Sequence, residues 1–172
     1  MVERSQWVEI TDEDPTHSQR YIERFRTMAE AGRDLAGEAR LIDAMAPRSA
    51  RILDAGCGPG RVGSTLAELG HEVVGVDVDP VLIAEAQREH PGATWLVGDL
   101  AELDLPAAGV AADYDVIVCA GNVMTFLAPS TRSLVVSRLG AHLADGGRLV
   151  VGFGAERGYP FDEFRDNAEA AG

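Results

Sequence analysis

The sequence predicts an α/β fold, with a doubly wound, mostly parallel sheet and helices on both of its faces. Short apolar runs alternate with helical patterns from about residue 51 onward, and a glycine-rich turn follows the first of these runs. Continuous apolar runs are typical of strands that are covered on both faces. The chain has 172 residues, a length at which one domain can bury a sizeable core.

The first 46 residues are predicted to form an arm and a helical lid, followed by the α/β core of residues 47–172. Residues 1 to about 16 are polar and acidic without a clear period, so we expect a mobile arm. Tyr21, Ile22 and Phe25 fall on one face of a helix predicted over residues 18–31. A second helix is expected over residues 38–45, because Pro47 follows it.

Five strands and the helices between them are predicted in the core. The strands are expected at about 51–55, 72–77, 94–97, 114–120 and 148–153. The helices are expected at about 60–69, 79–90 and 130–143, and from 161 onward. Asp79 followed by Pro80 is typical of a helix N-terminus.

The segment Asp54–Gly60, which reads DAGCGPG, follows the first strand and is predicted to bind a ligand. Gly56, Gly58 and Gly60 carry no side chains, so the backbone of this turn is able to touch a bound molecule. The following helix directs its first amides to the same place. In open α/β sheets, ligands bind outside the carboxyl ends of the strands, where this turn lies.

The glycine turn is compatible with two classes of cofactor. Gly58, Gly60 and Gly63 match the dinucleotide pattern, and Asp77 follows as its acidic residue. Asp54 argues against a dinucleotide, because its carboxylate would repel a pyrophosphate and attract a ligand that carries a sulfonium and an ammonium group.

The segment Asp54–Gly60 resembles the first motif of the class I S-adenosylmethionine-dependent methyltransferases, and the resemblance extends over about residues 51–153. It implies S-adenosylmethionine as the cofactor. It also implies that Asp77 accepts hydrogen bonds from both ribose hydroxyls, with Val78 against the adenine face. Asp99 would accept from the adenine amino group, and the backbone N–H of Leu100 would contact the ring.

The resemblance further implies that the methionine part of the cofactor lies on the glycine turn and near the end of the fourth strand. Arg61 either pairs with the methionine carboxylate or is a solvated helix residue, and Cys57 is expected to pack rather than react. The residues predicted to bind the cofactor are Asp54, Gly56, Cys57, Gly58, Gly60, Arg61, Asp77, Val78, Asp99, Leu100, Cys119 and Ala120.

Three residues are candidates for a catalytic role: Asn122, Tyr21 and His17. Asn122 follows the fourth strand and either touches the acceptor or is an amide satisfied by backbone. Tyr21 and His17 are candidate general bases, which are needed only if the acceptor arrives protonated. The alternative for Tyr21 is a helix residue that faces the core.

The composition excludes several classes of binding partner. The net charge of −13 argues against nucleic acid and anionic membranes, so we expect a small-molecule methyl acceptor. Two cysteines form neither a disulfide framework nor a zinc site, and no metal is expected. No signal peptide or spanning apolar run is visible, which favours a cytoplasmic protein.

Some alternatives stay open. An NAD(P)-dependent oxidoreductase would use the glycine pattern that starts at Gly58, and a protein that binds S-adenosylmethionine without turnover would need no base. The family normally adds two strands after the last helix predicted here. We therefore expect a sheet truncated after the fifth strand, with a homodimer as one way to cover the exposed edge.

Overall fold

The sheet of the computed structural model, which describes residues 1–172, has five parallel strands. They are β1 (Arg51–Ala55), β2 (Glu72–Asp77), β3 (Thr94–Val97), β4 (Tyr114–Cys119) and β5 (Leu143–Val151). Their order in the sheet is β3-β2-β1-β4-β5, so the chain changes direction across the sheet between β1 and β4. This switch point is where open α/β sheets bind ligands. The predicted doubly wound fold is confirmed.

Eight helices surround the sheet. In chain order they are α1 (Gln6–Glu13), α2 (His17–Glu30), α3 (Gly37–Met45), α4 (Arg61–Glu68), α5 (Pro80–Glu89), α6 (Val123–Phe126), α7 (Arg132–Ala141) and α8 (Phe161–Ala171). None of them is long and apolar enough to span a membrane.

Alternate residues of the strands pack on opposite faces of the sheet, as the two-residue period of a strand requires. On one face Leu53 and Ile117 belong to a core cluster with residues of α7. On the other face Ile52 and Val116 pack with residues of α3 and α4. Both faces are covered, which explains why the strands read as uninterrupted apolar runs.

The arm expected over residues 1–16 contains a helix, α1, that the sequence analysis did not predict. Ser5 caps this helix, with its hydroxyl accepting from the backbone N–H of Val8. None of the α1 residues is fully buried. The helix has only eight residues, about two turns, so it is too short to show a clear helical period in the sequence.

Strand β5 begins at Leu143, five residues before its predicted start, and α7 ends at Ala141. Tyr114 pairs with Leu143 and Val116 pairs with Arg148, so the segment between them bulges out of the ladder. Gly146, with φ at +75°, adopts the left-handed conformation that such a bulge uses. The expected turn is thus a bulge inside the strand.

Candidate functional site

The glycine turn folds back over the end of β2. The backbone N–H groups of Gly56 and Cys57 both donate to the carbonyl oxygen of Val76, at 2.8 and 3.0 Å. Gly56 and Gly58 have φ values of +75° and +53°, which disfavour any residue with a Cβ. An ideal Cβ at Gly56 would lie 2.5 Å from the side-chain methyls of Val123, whereas one at Gly58 would meet only the Tyr21 ring, at 3.8 Å. The space above Gly58 is therefore open.

Asp77, at the end of β2, holds the glycine turn in place. One oxygen of its carboxylate accepts from the backbone N–H of Gly58, and the other accepts from that of Asp79, both at 2.9 Å. The side chain lines a cavity but is mostly covered, and burial raises the pKa of Asp77 to about 6. A carboxylate has lone pairs beyond these two bonds, so it is able to accept from a ligand as well.

Asp54, at the end of β1, anchors the start of α4. Its carboxylate accepts from the backbone N–H of Gly63 at 2.8 Å, within the first turn of that helix. The residue is 2% exposed, and burial raises the pKa of Asp54 to about 7. The sequence suggested that this carboxylate faces a charged ligand, and in the structure its bond is to the helix, where a negative charge is favoured.

Asp99 follows β3 and also has a capping bond. Its carboxylate accepts from the backbone N–H of Ala101 at 2.8 Å, which begins the short 3-10 turn Leu100–Glu102. The sequence left open whether Asp99 caps a turn or faces a ligand. The structure shows the cap and also places Asp99 in the wall of the same cavity as Asp77.

That cavity, called here the larger cavity, encloses about 670 Å³ of space that is continuous with the solvent. Its wall is formed by Ser5, Trp7, Tyr21, Gly56, Gly58, Asp77, Val78, Leu82, Gly98, Asp99, Leu100, Gly121, Val123, Phe126 and Leu127. Apolar side chains dominate, and the acidic strand ends of β2 and β3 lie together.

A second cavity of about 410 Å³, called here the smaller cavity, lies beside the first. The two share the wall residues Tyr21, Gly56, Gly58, Gly121 and Val123. The smaller cavity also contacts Phe25, Asp54, Cys57, Pro59, Arg61, Val62 and Ala120. A ligand with two dissimilar ends is thus able to lie across the glycine turn, with one end in each cavity.

Other predicted site residues lie outside these walls or are already paired. Arg61 donates to both carboxylate oxygens of Glu38 and to the carbonyl of Leu35, so it is neither solvated nor free for a ligand carboxylate. Gly60 begins α4 beside the Trp95 ring. Cys119 is fully buried and lines neither cavity.

Of the three catalytic candidates, only Tyr21 lines a cavity. The side-chain oxygen of Asn122 accepts from the backbone N–H of Gly154 at 2.7 Å, so this amide is satisfied by backbone. His17 packs edge-on against the Trp7 ring, with centroids 5.1 Å apart. The geometry gives neither Asn122 nor His17 a role at the cavities.

Sequence reasoning missed an apolar group in the wall: Trp7, Leu82, Val123, Phe126 and Leu127. Most of these have no local signature, since apolar residues in short helices resemble core residues. Trp7 had one weak signal, because it is a lone aromatic in an otherwise polar segment.

The polar groups in the wall fit S-adenosylmethionine better than they fit a dinucleotide. The wall of the larger cavity contains two carboxylates and no basic side chain, which suits ribose hydroxyls and an amino group and does not suit a pyrophosphate. Val78 and Leu100 provide apolar surface next to these carboxylates. The residues present therefore fit the nucleoside and amino-acid parts of S-adenosylmethionine.

Comparisons with known proteins agree with this fit. A family model described as a methyltransferase domain matches residues 52–147. The chain is 35% identical over 114 residues to an uncharacterized methyltransferase of Mycobacterium tuberculosis H37Rv, covering 64% of this chain and 54% of the relative. It is 33% identical over 135 residues to a trans-aconitate 2-methyltransferase of Azoarcus sp., covering 77% and 48%. The chain thus spans about half the length of these curated relatives.

Solved structures share the fold over more of the chain. A TehB-like S-adenosylmethionine-dependent methyltransferase from Corynebacterium glutamicum is 50% identical, with a TM-score of 0.87 over 92% of this chain and 84% of that one. An amino pentose methyltransferase from Micromonospora echinaspora, solved with S-adenosylmethionine bound, is 29% identical, with a TM-score of 0.66 over 80% and 58%. Because the family model covers more than half of the chain, and because the strand order and the glycine turn agree with it, the chain belongs to the class I S-adenosylmethionine-dependent methyltransferases.

Proposed function

We propose that this chain binds S-adenosylmethionine and transfers its methyl group to a small-molecule acceptor. The observation that carries the proposal is the meeting of Asp77 and Asp99 with the glycine turn in the wall of one cavity. These groups come from three neighbouring strand ends, β1, β2 and β3.

The proposed cofactor contacts follow from the walls of the two cavities. Asp77 accepts from the ribose hydroxyls, and Asp99 accepts from the amino group of a base that lies between Val78 and Leu100. The open space above Gly58 takes the middle of the cofactor. Its amino-acid end lies in the smaller cavity, where Asp54, Cys57 and Ala120 form part of the wall.

The catalytic contribution proposed for the protein is positioning. The bound cofactor supplies a methyl group that is already activated on a sulfonium. Holding the acceptor in line with that group accounts for much of the required acceleration. Tyr21 lies where the two cavities meet, and burial raises the pKa of its phenol, so this side chain keeps its proton at neutral pH. We therefore propose Tyr21 as a positioning residue rather than a general base.

The proposed acceptor is a small molecule. One structural neighbour is an amino pentose methyltransferase, and an amino pentose is a small molecule.

Two expectations from the sequence stay predictions. A homodimer that covers the edge strand β5 is one of them, and β5 does lie at the edge of the sheet. A location in the cytoplasm is the other, and both cysteines are free and buried. Neither is needed for the proposed reaction.

The first experiment is a calorimetric titration with S-adenosylmethionine, S-adenosylhomocysteine and reduced nicotinamide dinucleotide. We expect micromolar binding of the first two and none of the third. Gly58→Ala should weaken binding by about tenfold or more, because the new methyl group fills the open space over the turn. Gly109→Ala is the matched control, since Gly109 also has a positive φ and no atom lies within 4 Å of its ideal Cβ.

Turnover is tested separately, by following a labelled methyl group from S-adenosylmethionine into a panel of small amines, alcohols and carboxylic acids. Transfer to any of these small molecules supports the proposal. Binding of the dinucleotide alone would reject the cofactor assignment. Tight binding of S-adenosylmethionine with no transfer to any small molecule would instead favour a binding protein without turnover.

A further inference from the structure

A side chain from the N-terminal helix α1 covers the larger cavity. The indole of Trp7 lines this cavity and packs edge-on against the rings of Tyr21 and Phe126, with centroids 5.3 and 5.4 Å apart. Tyr21 belongs to α2 and lines the cavity as well. Helices α1 and α2 are called the roof from here on.

A single carboxylate ties both roof helices to the α/β core. One oxygen of Asp79 accepts from the indole N–H of Trp7 at 2.8 Å and from the hydroxyl of Ser18. Its other oxygen caps α5 by accepting from the backbone N–H of Val81 at 2.8 Å. Asp79 is 5% exposed, so its bonds to the roof are shielded from water and matter more than surface bonds would.

The same carboxylate belongs to the turn that carries the proposed ribose-binding residue. Asp79 follows Asp77 by two positions, and its backbone N–H donates to the Asp77 carboxylate at 2.9 Å. The turn Asp77–Asp79 therefore faces the cavity through Asp77 and Val78 and holds the roof through Asp79. A shift of this turn therefore changes both the wall of the cavity and the attachment of the roof.

The rest of α1 is weakly held. The helix contains no fully buried residue, and the ion pair of Arg4 with Asp12 joins two exposed side chains of the N-terminal segment itself. Upstream, Glu3 accepts from the hydroxyl of Ser130, and Val2 packs on the core. Trp7 is thus the main contact between α1 and the wall of the larger cavity.

We propose that Trp7 contacts the bound cofactor and that Asp79 is a positioning residue which holds the roof closed over it. This inference rests on the proposed function, because it assumes that the nucleoside part of the cofactor occupies the larger cavity. With the roof held, Trp7 narrows the way out of the cavity, and the cofactor leaves faster once the Trp7–Asp79 bond opens. The strength of this bond then contributes to the rate of cofactor exchange.

The test measures the rate at which S-adenosylhomocysteine dissociates, by stopped-flow displacement with excess unlabelled ligand. Trp7→Phe keeps an aromatic ring and removes the N–H donor, and Ser18→Ala removes the second donor without altering the cavity wall. We expect each variant to raise the dissociation rate about tenfold, the effect of losing one hydrogen bond to a charged group. Glu9→Gln, at an exposed position of the same helix, should change the rate by less than about twofold.

A second measurement tests whether Trp7 contacts the cofactor or only supports the roof. The chain has two tryptophans, so Trp95→Phe leaves Trp7 as the sole source of indole fluorescence. We expect S-adenosylhomocysteine to change the emission of Trp7 in this background. If that background does not fold, Trp7→Phe in the wild-type chain should remove most of the emission change on binding.

The dissociation rates and the emission of Trp7 test different parts of the proposal. Unchanged dissociation rates in Trp7→Phe and Ser18→Ala would overturn the holding role of Asp79. Unchanged Trp7 emission on binding would overturn the contact with the cofactor. A wild-type chain that binds no S-adenosylhomocysteine would contradict the proposed function itself, which is a distinguishable result.

Discussion

The two sides of the larger cavity are built differently. Its floor consists of the glycine turn and the turn Asp77–Asp79, which lie at the ends of buried parallel strands. Backbone N–H groups of the glycine turn donate to the carbonyl oxygen of Val76 and to the carboxylate of Asp77. Its roof, α1 and α2, meets the core through side chains: α1 through Trp7, and α2 through Ser18, the buried Ile22 and the ion pair of Arg26 with Glu85. A rigid floor fixes where a ligand binds and how tightly, whereas the roof, with its weakly held helix α1, governs how quickly the ligand enters and leaves.

Hydrogen exchange compares floor and roof directly. We expect the amides of α1 to exchange about a thousandfold faster than those of β1, because α1 buries no residue fully and β1 lies in the centre of the sheet. S-adenosylhomocysteine should slow exchange in α1 and leave α8 unchanged. Protection of α1 equal to that of β1 would contradict the distinction between a rigid floor and a loose roof.

Gly56→Ala tests the rigidity of the floor. The new Cβ would lie 2.5 Å from the methyls of Val123, in a residue whose φ is +75°. We expect a loss of about 2–4 kcal/mol in the free energy of unfolding, from backbone strain and overpacking together. Denaturant titration measures this loss.

The control is Gly109→Ala, at a glycine with φ of +76° and no neighbouring atom within 4 Å of its ideal Cβ. This variant should lose only the strain component, about 1 kcal/mol. Equal losses in the two variants would mean that the floor accommodates the methyl group by shifting.

The pH dependence of cofactor affinity tests whether Asp77 contacts the cofactor. Its pKa is raised to about 6 in the free protein, and hydroxyl groups that donate to the carboxylate would lower this pKa in the complex. The complex then holds fewer protons than the free protein. Affinity should therefore be constant above about pH 7 and fall by up to tenfold per unit below about pH 6.

Calorimetry between pH 5 and pH 8 would follow this change. Asp77→Asn should bind more weakly and lose the decline that begins near pH 6. Asp54→Asn should keep the decline near pH 6 and remove any decline that begins near pH 7, because burial raises the pKa of Asp54 to about 7 and the residue lines the smaller cavity. A decline that persists in Asp77→Asn would assign the proton to another group.

The sequence predicted the floor well, because its signals are local. The run from Ile52 to Ala55, the three glycines of the turn and the acidic ends of β2 and β3 are each visible within a few residues. Parallel strands bring their carboxyl ends to one edge, so these signals were enough to place Asp77 and Asp99 near the glycine turn. The bulge in β5 was missed, because Gly146 reads as a turn whether the chain reverses there or continues in the strand.

By itself, the sequence determined the strand and helix alternation, the acidic strand ends and the family resemblance, because these depend on short-range periodicity and on backbone freedom at glycine. Only the tertiary structure decided which side chains close the cavity and which carboxylates are already engaged. The pairing of Arg61 with Glu38 and the approach of Trp7 to Asp79 join residues 23 and 72 positions apart, and the bond of Asp54 to the backbone N–H of Gly63 forms only when α4 packs against the end of β1. Such contacts are selected by the packing of whole elements, and no local pattern records them.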